Sequence, residues 1–390
     1  MYLTPEEEKI YDGELGWAYQ VSMRILVKLG DLFGASRLIP INSAHISGVS
    51  YKTIGDAPID FLKALVETGG RARVNSTVNP SGFDLQQIEK MAISQEIKKK
   101  QLEIIDLYEK MSVNPILTCT PYYLVRPKID SHLAWAESSA VIYANSILGA
   151  WTNREGGPSA LAATLIGKTP DYGMHRAEER EANLHVKVKC QPRNEMEFGA
   201  LGVRIGKIVG NRVPILTRLS RCTRDSLKQL GAGLASSGMT SIFYCSEEYV
   251  GKSLETISVE DKDIKDAIEK LSTTSENPDL VFLGCPHCSI SEIQQIAHLI
   301  KGRRVREDVR LWVCTSRYVK AKAKRYVDII EATGSHVLCD TCAVVTWIKE
   351  LGVNTMMTNS AKTAYYAPTL NRVETIMAPI DQCIETACGE

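Results

Sequence analysis

The stretch "DLVFLGCPHCSI", residues 279–290, sets a short apolar run against two thiols three positions apart. Leu280, Val281, Phe282 and Leu283 form a continuous hydrophobic stretch of strand length, the pattern of a strand covered on both faces, and Gly284 with Pro286 marks its end. Other runs read the same way: "RLIPIN" (37–42), "RARVNS" (71–76), "NPILTC" (114–119), "RVPILT" (212–217), "TSIFYC" (240–245), "VRLWVC" (309–314) and "SHVLCD" (335–340). Between them lie helix-length patterns at 56–70, 84–111, 289–302 and 316–334. Strands alternating with helices predict an α/β architecture with mainly parallel sheets. A Gly-rich stretch at 190–212, "CQPRNEMEFGALGVRIGKIVGN", reads as a domain boundary, and no internal repeat or low-complexity segment is visible.

Composition sets the class. At 390 residues, 44% hydrophobic and 24% charged, the chain has material for two or three globular domains. Lys and Arg total 46, as do Asp and Glu, so no net field gathers nucleic acid or an anionic membrane. The N-terminus is acidic and reads as a helix start: Thr4 is placed to cap it, Pro5 suits the first helical position and Glu7 completes a capping box. A secretory signal would instead be basic and then apolar. No apolar run reaches the roughly 18 residues a membrane span requires. The reading is a soluble, cytoplasmic protein.

Eleven cysteines in a reducing compartment are packed residues, ligands or catalytic thiols rather than disulfides. Cys119, Cys245, Cys285, Cys314 and Cys339 fall at predicted carboxyl ends of strands, with Cys288 and Cys342 one turn further on, and in open α/β sheets that is the ligand-binding end. Three readings fit. Free thiols pack well as small hydrophobes. Two Cys-x-x-Cys pairs, 285/288 and 339/342, suit zinc, but 50 residues separate them where compact ribbons have roughly 15 to 20. Widely separated thiolates also hold iron–sulfur clusters, and three suffice if one iron stays open to substrate. Spacing leaves all three open.

Longer blocks carry more. "RLIPINSAHISGVSYKTIGDAP" (37–58), "VNSTVNPSGFD" (74–84), "PILTCTPYY" (115–123), "AWAESSAVIYANSILGAWTNREGGPSAL" (134–161), "GCPHCS" (284–289), "CDTCAVV" (339–345) and "TNSAKTAYY" (358–366) together resemble the large, catalytic subunit of the aconitase X family over nearly the whole chain. The resemblance implies an aconitase-like fold of three α/β domains around a cluster-binding cleft, and a hydro-lyase with an iron–sulfur cluster, 4Fe-4S in type, as Lewis acid. It implies a separate small swivelling subunit that brings the base, since no such module is seen in this sequence. Members split in this way dehydrate (R)-mevalonate 5-phosphate to the trans-anhydro acid phosphate in the archaeal mevalonate route to isoprenoids. Fused and some split relatives act on cis-3-hydroxy-L-proline. A zinc-stabilised scaffold without turnover is the rival from another class.

By the same resemblance the cluster ligands fall on Cys119, Cys285 and Cys342; Cys288 and Cys339 depart from the pattern, each either a rival ligand or, on the plainer reading, a packed thiol nearby. Gly48, Val49 and Ser50 form a loop whose main-chain N–H groups suit an anion. Asn79 and Pro80 form a second substrate loop, Glu137 and Ser138 lie in an apolar helix starting near Ser131 and face the site, and Lys362 meets a carboxylate or phosphate. Asn153 and Arg154, before a helix start, are second choices, and His45 is left outside the main set. The domains on this reading are 1–200 with the substrate loops and Cys119, 201–355 with Cys285 and Cys342, and 356–390 as a segment returning to the active site.

Overall fold

The computed structural model describes residues 1–88, 92–220 and 222–389. The chain forms two compact units, Met1–Gly82 with Ser94–Glu181, and Phe83–Ile93 with Ala182–Glu390.

The first unit begins as the sequence predicts. Thr4 caps the helix Pro5–Asp12 and the reciprocal bonds of the capping box with Glu7 are both made. Glu7 is buried and also pairs with Lys168 at 2.6 Å, which ties the helix to its unit. Strand β1 (Leu38–Pro40) is followed at once by β2 (Ser43–Ile46), and β3 (Asn75–Val78) and β4 (Leu133–Trp135) flank β2 in a parallel sheet of order β3-β2-β4. Strand β5 (Lys168–Pro170) returns antiparallel to β1.

Several local readings change here. The strand read at 71–76 sits at 75–78. The one read at 114–119 shrinks to a single bridge, Thr77 with Asn114, because Pro115 has no N–H and Leu117 takes φ +43, which no ladder accommodates. Cys119 therefore lies in an irregular bend, not at a strand end. The helix read from Ser131 is in fact β4, then Glu137 as N-cap, then the helix Ser138–Ser146. Of the helix read at 84–111, Gln95–Lys110 is helical, and residues 89–91 lie outside the described residues.

The second unit holds two parallel sheets. Strands β6 (Leu184–Val188), β7 (Pro214–Thr217), β8 (Tyr244–Ser246) and β9 (Thr256–Val259) pair in the order β8-β7-β6-β9. Strands β10 (Leu280–Cys288), β11 (Arg310–Thr315), β12 (His336–Leu338), β13 (Thr355–Thr358) and β14 (Glu374–Met377) pair as β12-β11-β10-β13-β14. All nine residues of β10 are buried, as its unbroken apolar run implies, and it is the central strand. Cys288 is its last residue rather than one turn beyond it. The Gly-rich stretch read as a boundary contains the helix Glu195–Val209. A Cβ on Gly202 would come within 2.2 Å of the Leu230 carbonyl, so these glycines let it pack closely on the helix Arg224–Ser237.

Among the described residues, no helix is long and apolar enough to cross a membrane.

Candidate active site

In the first unit, register aligns the functional side chains. His45 on β2 stands level with Thr77 on β3 and with Trp135 on β4, so the loops that leave the three strands start from one end of the sheet. Those loops carry Gly48 to Ser50, Asn79 with Pro80, and Glu137. They form a directional chain of hydrogen bonds. The Glu137 carboxylate only accepts, so Asn79 Nδ2 donates to its Oε2 at 2.8 Å, which turns Asn79 Oδ1 toward His45 Nε2 at 2.9 Å. Nε2 therefore carries the ring proton, and Nδ1 accepts from the Thr77 hydroxyl at 2.7 Å. The other Glu137 oxygen accepts from the Ser139 hydroxyl at 2.9 Å and its N–H at 3.3 Å. Burial pulls the His45 pKa down to about 4, against the upward pull of the Asn79 bond, the Glu137 charge and the Thr118 carbonyl, so the ring is neutral at pH 7. His45 thus serves to fix Asn79, and Asn79 and Glu137, both half-buried, present the polar edge.

Gly48 takes φ +76, a region open to glycine, and the loop it begins is held from behind by a residue that sequence reading missed. Gln101 is fully buried; its Oε1 accepts the N–H of Tyr51 at 3.0 Å and of Gly82 at 2.9 Å, and its Nε2 donates to the Val49 carbonyl at 2.9 Å. One amide staples the 48–51 loop to the 79–82 loop. Ser50 is buried at the head of the short helix Tyr51–Ile54, and Ser138 is half-buried at the first position of its helix. Cys119 is buried beside the Thr118–Thr120 hydroxyl pair. Asn153 is committed elsewhere: its amide bonds the main chain of Met174 and Tyr172.

In the second unit, Cys285 and Cys342 are buried in one core cluster. Gly284 takes φ +107, and a Cβ there would fall 2.2 Å from the Cys314 carbonyl oxygen, so only glycine lets β10 press on β11 as the ladder shifts register between Leu283 and Cys288. That bulge lifts Cys285 out of regular pairing. Three of the four carbonyls beyond it are then gripped by side chains: Ser360 Oγ donates to Cys285 O, Lys228 Nζ to His287 O at 3.4 Å and Thr315 Oγ1 to Cys288 O at 2.7 Å. Lys228 is itself buried and paired with Glu292. On the Cys342 side, Asp84 accepts the Cys339 N–H at 2.9 Å and Arg317 bridges Asp84 and Asp340.

The thiols differ in environment. Burial pushes Cys342 up to about 12, with the neighbouring Cys285 adding to the shift, while the main-chain N–H groups of Val344 and Val345 and the Lys362 ammonium favour its thiolate. Cys339 is pushed up to about 12 by burial and then by the Asp84 charge, and burial drives Cys288 well above its ordinary value, with Glu292 adding to it. Lys362 is buried in the helix Ala361–Tyr366.

Those surroundings fit an iron–sulfur cluster better than a structural metal. Main-chain donors on a sulfur and a nearby cation are what soft, negatively charged clusters use. Thr341 Oγ1, Asn359 Oδ1 and Thr363 Oγ1, flanking Cys342 and Lys362 in sequence, are buried with no partner among the described residues, polar atoms left for something the protein does not supply. Also among the described residues, no three His, Cys, Asp or Glu side chains are gathered tightly enough to cage a single ion, so the zinc reading of the two Cys-x-x-Cys pairs has no four-thiolate set to stand on. A cluster is several ångströms across and asks for thiols set farther apart than a single ion does. This unit offers Cys285 and Cys342 for one, and Cys119 lies in the first unit.

Comparison with known proteins places these features in a family. The chain matches the models of the aconitase X first domain over residues 1–178, second domain over 182–269 and third domain over 278–389. It is 45% identical to the phosphomevalonate dehydratase large subunit of Methanocaldococcus jannaschii, covering 99% of this chain and 100% of that one. A more distant relative, the cis-3-hydroxy-L-proline dehydratase of Pseudomonas aeruginosa, is 31% identical over 98% of this chain but 69% of its own length. The crystal structure of Thermococcus kodakaraensis aconitase X in its holo-form superposes with a TM-score of 0.92 at 42% identity, over 99% of this chain and 100% of that one.

Proposed function

The chain belongs to the aconitase X family, and from that premise we propose that it is the large subunit of a phosphomevalonate dehydratase, a hydro-lyase that converts (R)-mevalonate 5-phosphate to trans-anhydromevalonate 5-phosphate. The full-length likeness to a large subunit of that name favours this substrate over cis-3-hydroxy-L-proline, whose dehydratase matches less closely and extends well beyond this chain. The observation that carries the chemistry is the coupled, buried pair Cys285 and Cys342 with Val344 and Val345 N–H groups on the Cys342 sulfur and Lys362 beside it.

Cys119, Cys285 and Cys342 are the three protein ligands of an iron–sulfur cluster, 4Fe-4S in type. With one iron free of protein ligands, such a cluster supplies a Lewis acid for the departing hydroxyl, which is a poor leaving group at neutral pH. The chain's own residues do the rest of the binding. Lys362 meets the substrate's carboxylate or phosphate with a charge-assisted bond. Asn79 and Glu137, fixed by His45 and Ser139, orient the polar face of the substrate, and Ser138 lies beside them. The Gly48–Val49–Ser50 loop offers main-chain donors to an anionic group, with Pro80 stiffening the second loop. The proton-abstracting base comes from a small partner subunit, so the large chain alone turns over little or nothing.

The test is anaerobic dehydration by this chain with and without its small partner, given each substrate in turn. Turnover of mevalonate 5-phosphate that requires the partner supports the reading. Preference for cis-3-hydroxy-L-proline would reassign the substrate, and full activity of the large chain alone would overturn the role given to the partner.

A further inference from the structure

Two residues after Cys285 stands a histidine whose side chain has no role so far. His287 is fully buried, and its Nε2 lies 2.9 Å from the main-chain carbonyl of Thr341, which only accepts, so the ring donates. His287 is two positions from Cys285, and Thr341 precedes Cys342. The bond therefore joins the two thiol-bearing segments across 54 positions of sequence, within two residues of each thiol. We propose that His287 is a positioning residue that sets the spacing of Cys285 and Cys342 for the cluster; this rests on the cluster reading above.

Each segment needs such a tie. The 285–288 segment leaves the ladder at the Gly284 bulge and is gripped through the Cys285, His287 and Cys288 carbonyls, which fix its course but not its distance from the neighbouring loop. The 339–342 loop turns through Asp340 at φ +62 and is anchored at its start by Asp84 and Arg317. Past Asp340, the His287 bond links this loop's main chain to the strand carrying Cys285. A buried imidazole is stiff, with two rotatable bonds, so its donor holds a span that a longer amine would leave variable.

The experiment compares the full chain, purified anaerobically, as wild type, His287→Phe, His287→Asn and His287→Gln. Phenylalanine keeps volume and loses the donor, asparagine keeps a donor that falls short, and glutamine restores both reach and N–H. The readouts are iron and acid-labile sulfide per chain, the visible and paramagnetic resonance spectra, and the rate at which a chelator strips iron well below the unfolding temperature. Loss of an outer partner of a metal site typically costs about 10–100-fold. His287→Phe and His287→Asn should therefore lose iron at least about 10-fold faster with an altered spectrum, and His287→Gln should return toward wild type. A merely structural histidine would lower the unfolding temperature and leave spectrum and stripping rate unmoved, which overturns the proposal. If His287→Phe does not fold, His287→Asn decides. A wild-type chain that takes up no iron or sulfide overturns the cluster reading and this inference with it, an outcome distinct from variants that match a loaded wild type.

Discussion

Replacing Gln101 by leucine removes three hydrogen bonds without changing the side chain's volume much. Oε1 loses the N–H groups of Tyr51 and Gly82, and Nε2 loses the Val49 carbonyl. Tyr51 is half-exposed, so water replaces its partner; Val49 and Gly82 are buried and their polar groups are left unpaired. Each buried orphan costs about 1–3 kcal/mol, so the pair costs about 2–6 kcal/mol. Against a domain stability of about 5–15 kcal/mol that is a large fraction. Urea unfolding followed by circular dichroism should show the first transition at lower denaturant with an unchanged slope. In the assembled enzyme KM should rise more than kcat falls, because the 48–51 and 79–82 loops lose their common anchor. A Gln101→Leu chain within about 0.5 kcal/mol of wild type, the range of an ordinary surface change, would refute the staple.

Three further outcomes follow from the geometry. Gly284→Ala places a Cβ 2.2 Å from the Cys314 carbonyl oxygen at φ +107, so β10 and β11 must separate; a cost of at least about 3 kcal/mol from strain and clash should appear as a lower unfolding temperature and lost iron uptake. His45 has a folded pKa of about 4 against 6.5, the direction in which the unfolded state binds the extra proton. Its contribution, about 3 kcal/mol, is therefore fully present above pH 6.5 and lost as pH falls toward 4. His175, pulled down to about 3 by burial and by His132 and Arg180, acts in the same direction, and His45→Gln should flatten part of the slope in urea midpoints between pH 7 and 4. Lys362→Met should lower kcat/KM by about 10–150-fold, the worth of one hydrogen bond to a charged group, in the assembled enzyme.

The second unit's sheet was legible where strands are unbroken apolar runs, as in β10 and β11, because burial on both faces needs no partner to announce it. Strand β4 was hidden: "LAW" precedes an equally apolar helix, and only Ala136 and the helix cap Glu137 separate them. Strands β13 and β14 were unread because "TMMT" and "ETIM" are only four residues long and lack apolar alternation. Cys119 lost its expected strand to Pro115 and the positive φ of Leu117. Of the site, Asn79 and Glu137 were named and indeed bond each other. Gln101 was missed although a signal existed: it shares a helix face with Ile104, Ile105 and Tyr108, and a polar residue in such a stripe is buried for a reason. His287, Ser360 and Lys228 had no such signal, since their partners lie 54 to 75 positions away and only the tertiary fold brings them together.

Iron and labile sulfide per chain, measured on anaerobically purified wild type and on the single serine variants of five cysteines, tests the central claim most directly. Cys119→Ser, Cys285→Ser and Cys342→Ser should each lose the cluster, while Cys288→Ser and Cys339→Ser keep wild-type iron, sulfide and spectrum. A cluster that survives Cys119→Ser or Cys285→Ser but disappears with Cys288→Ser or Cys339→Ser would contradict it.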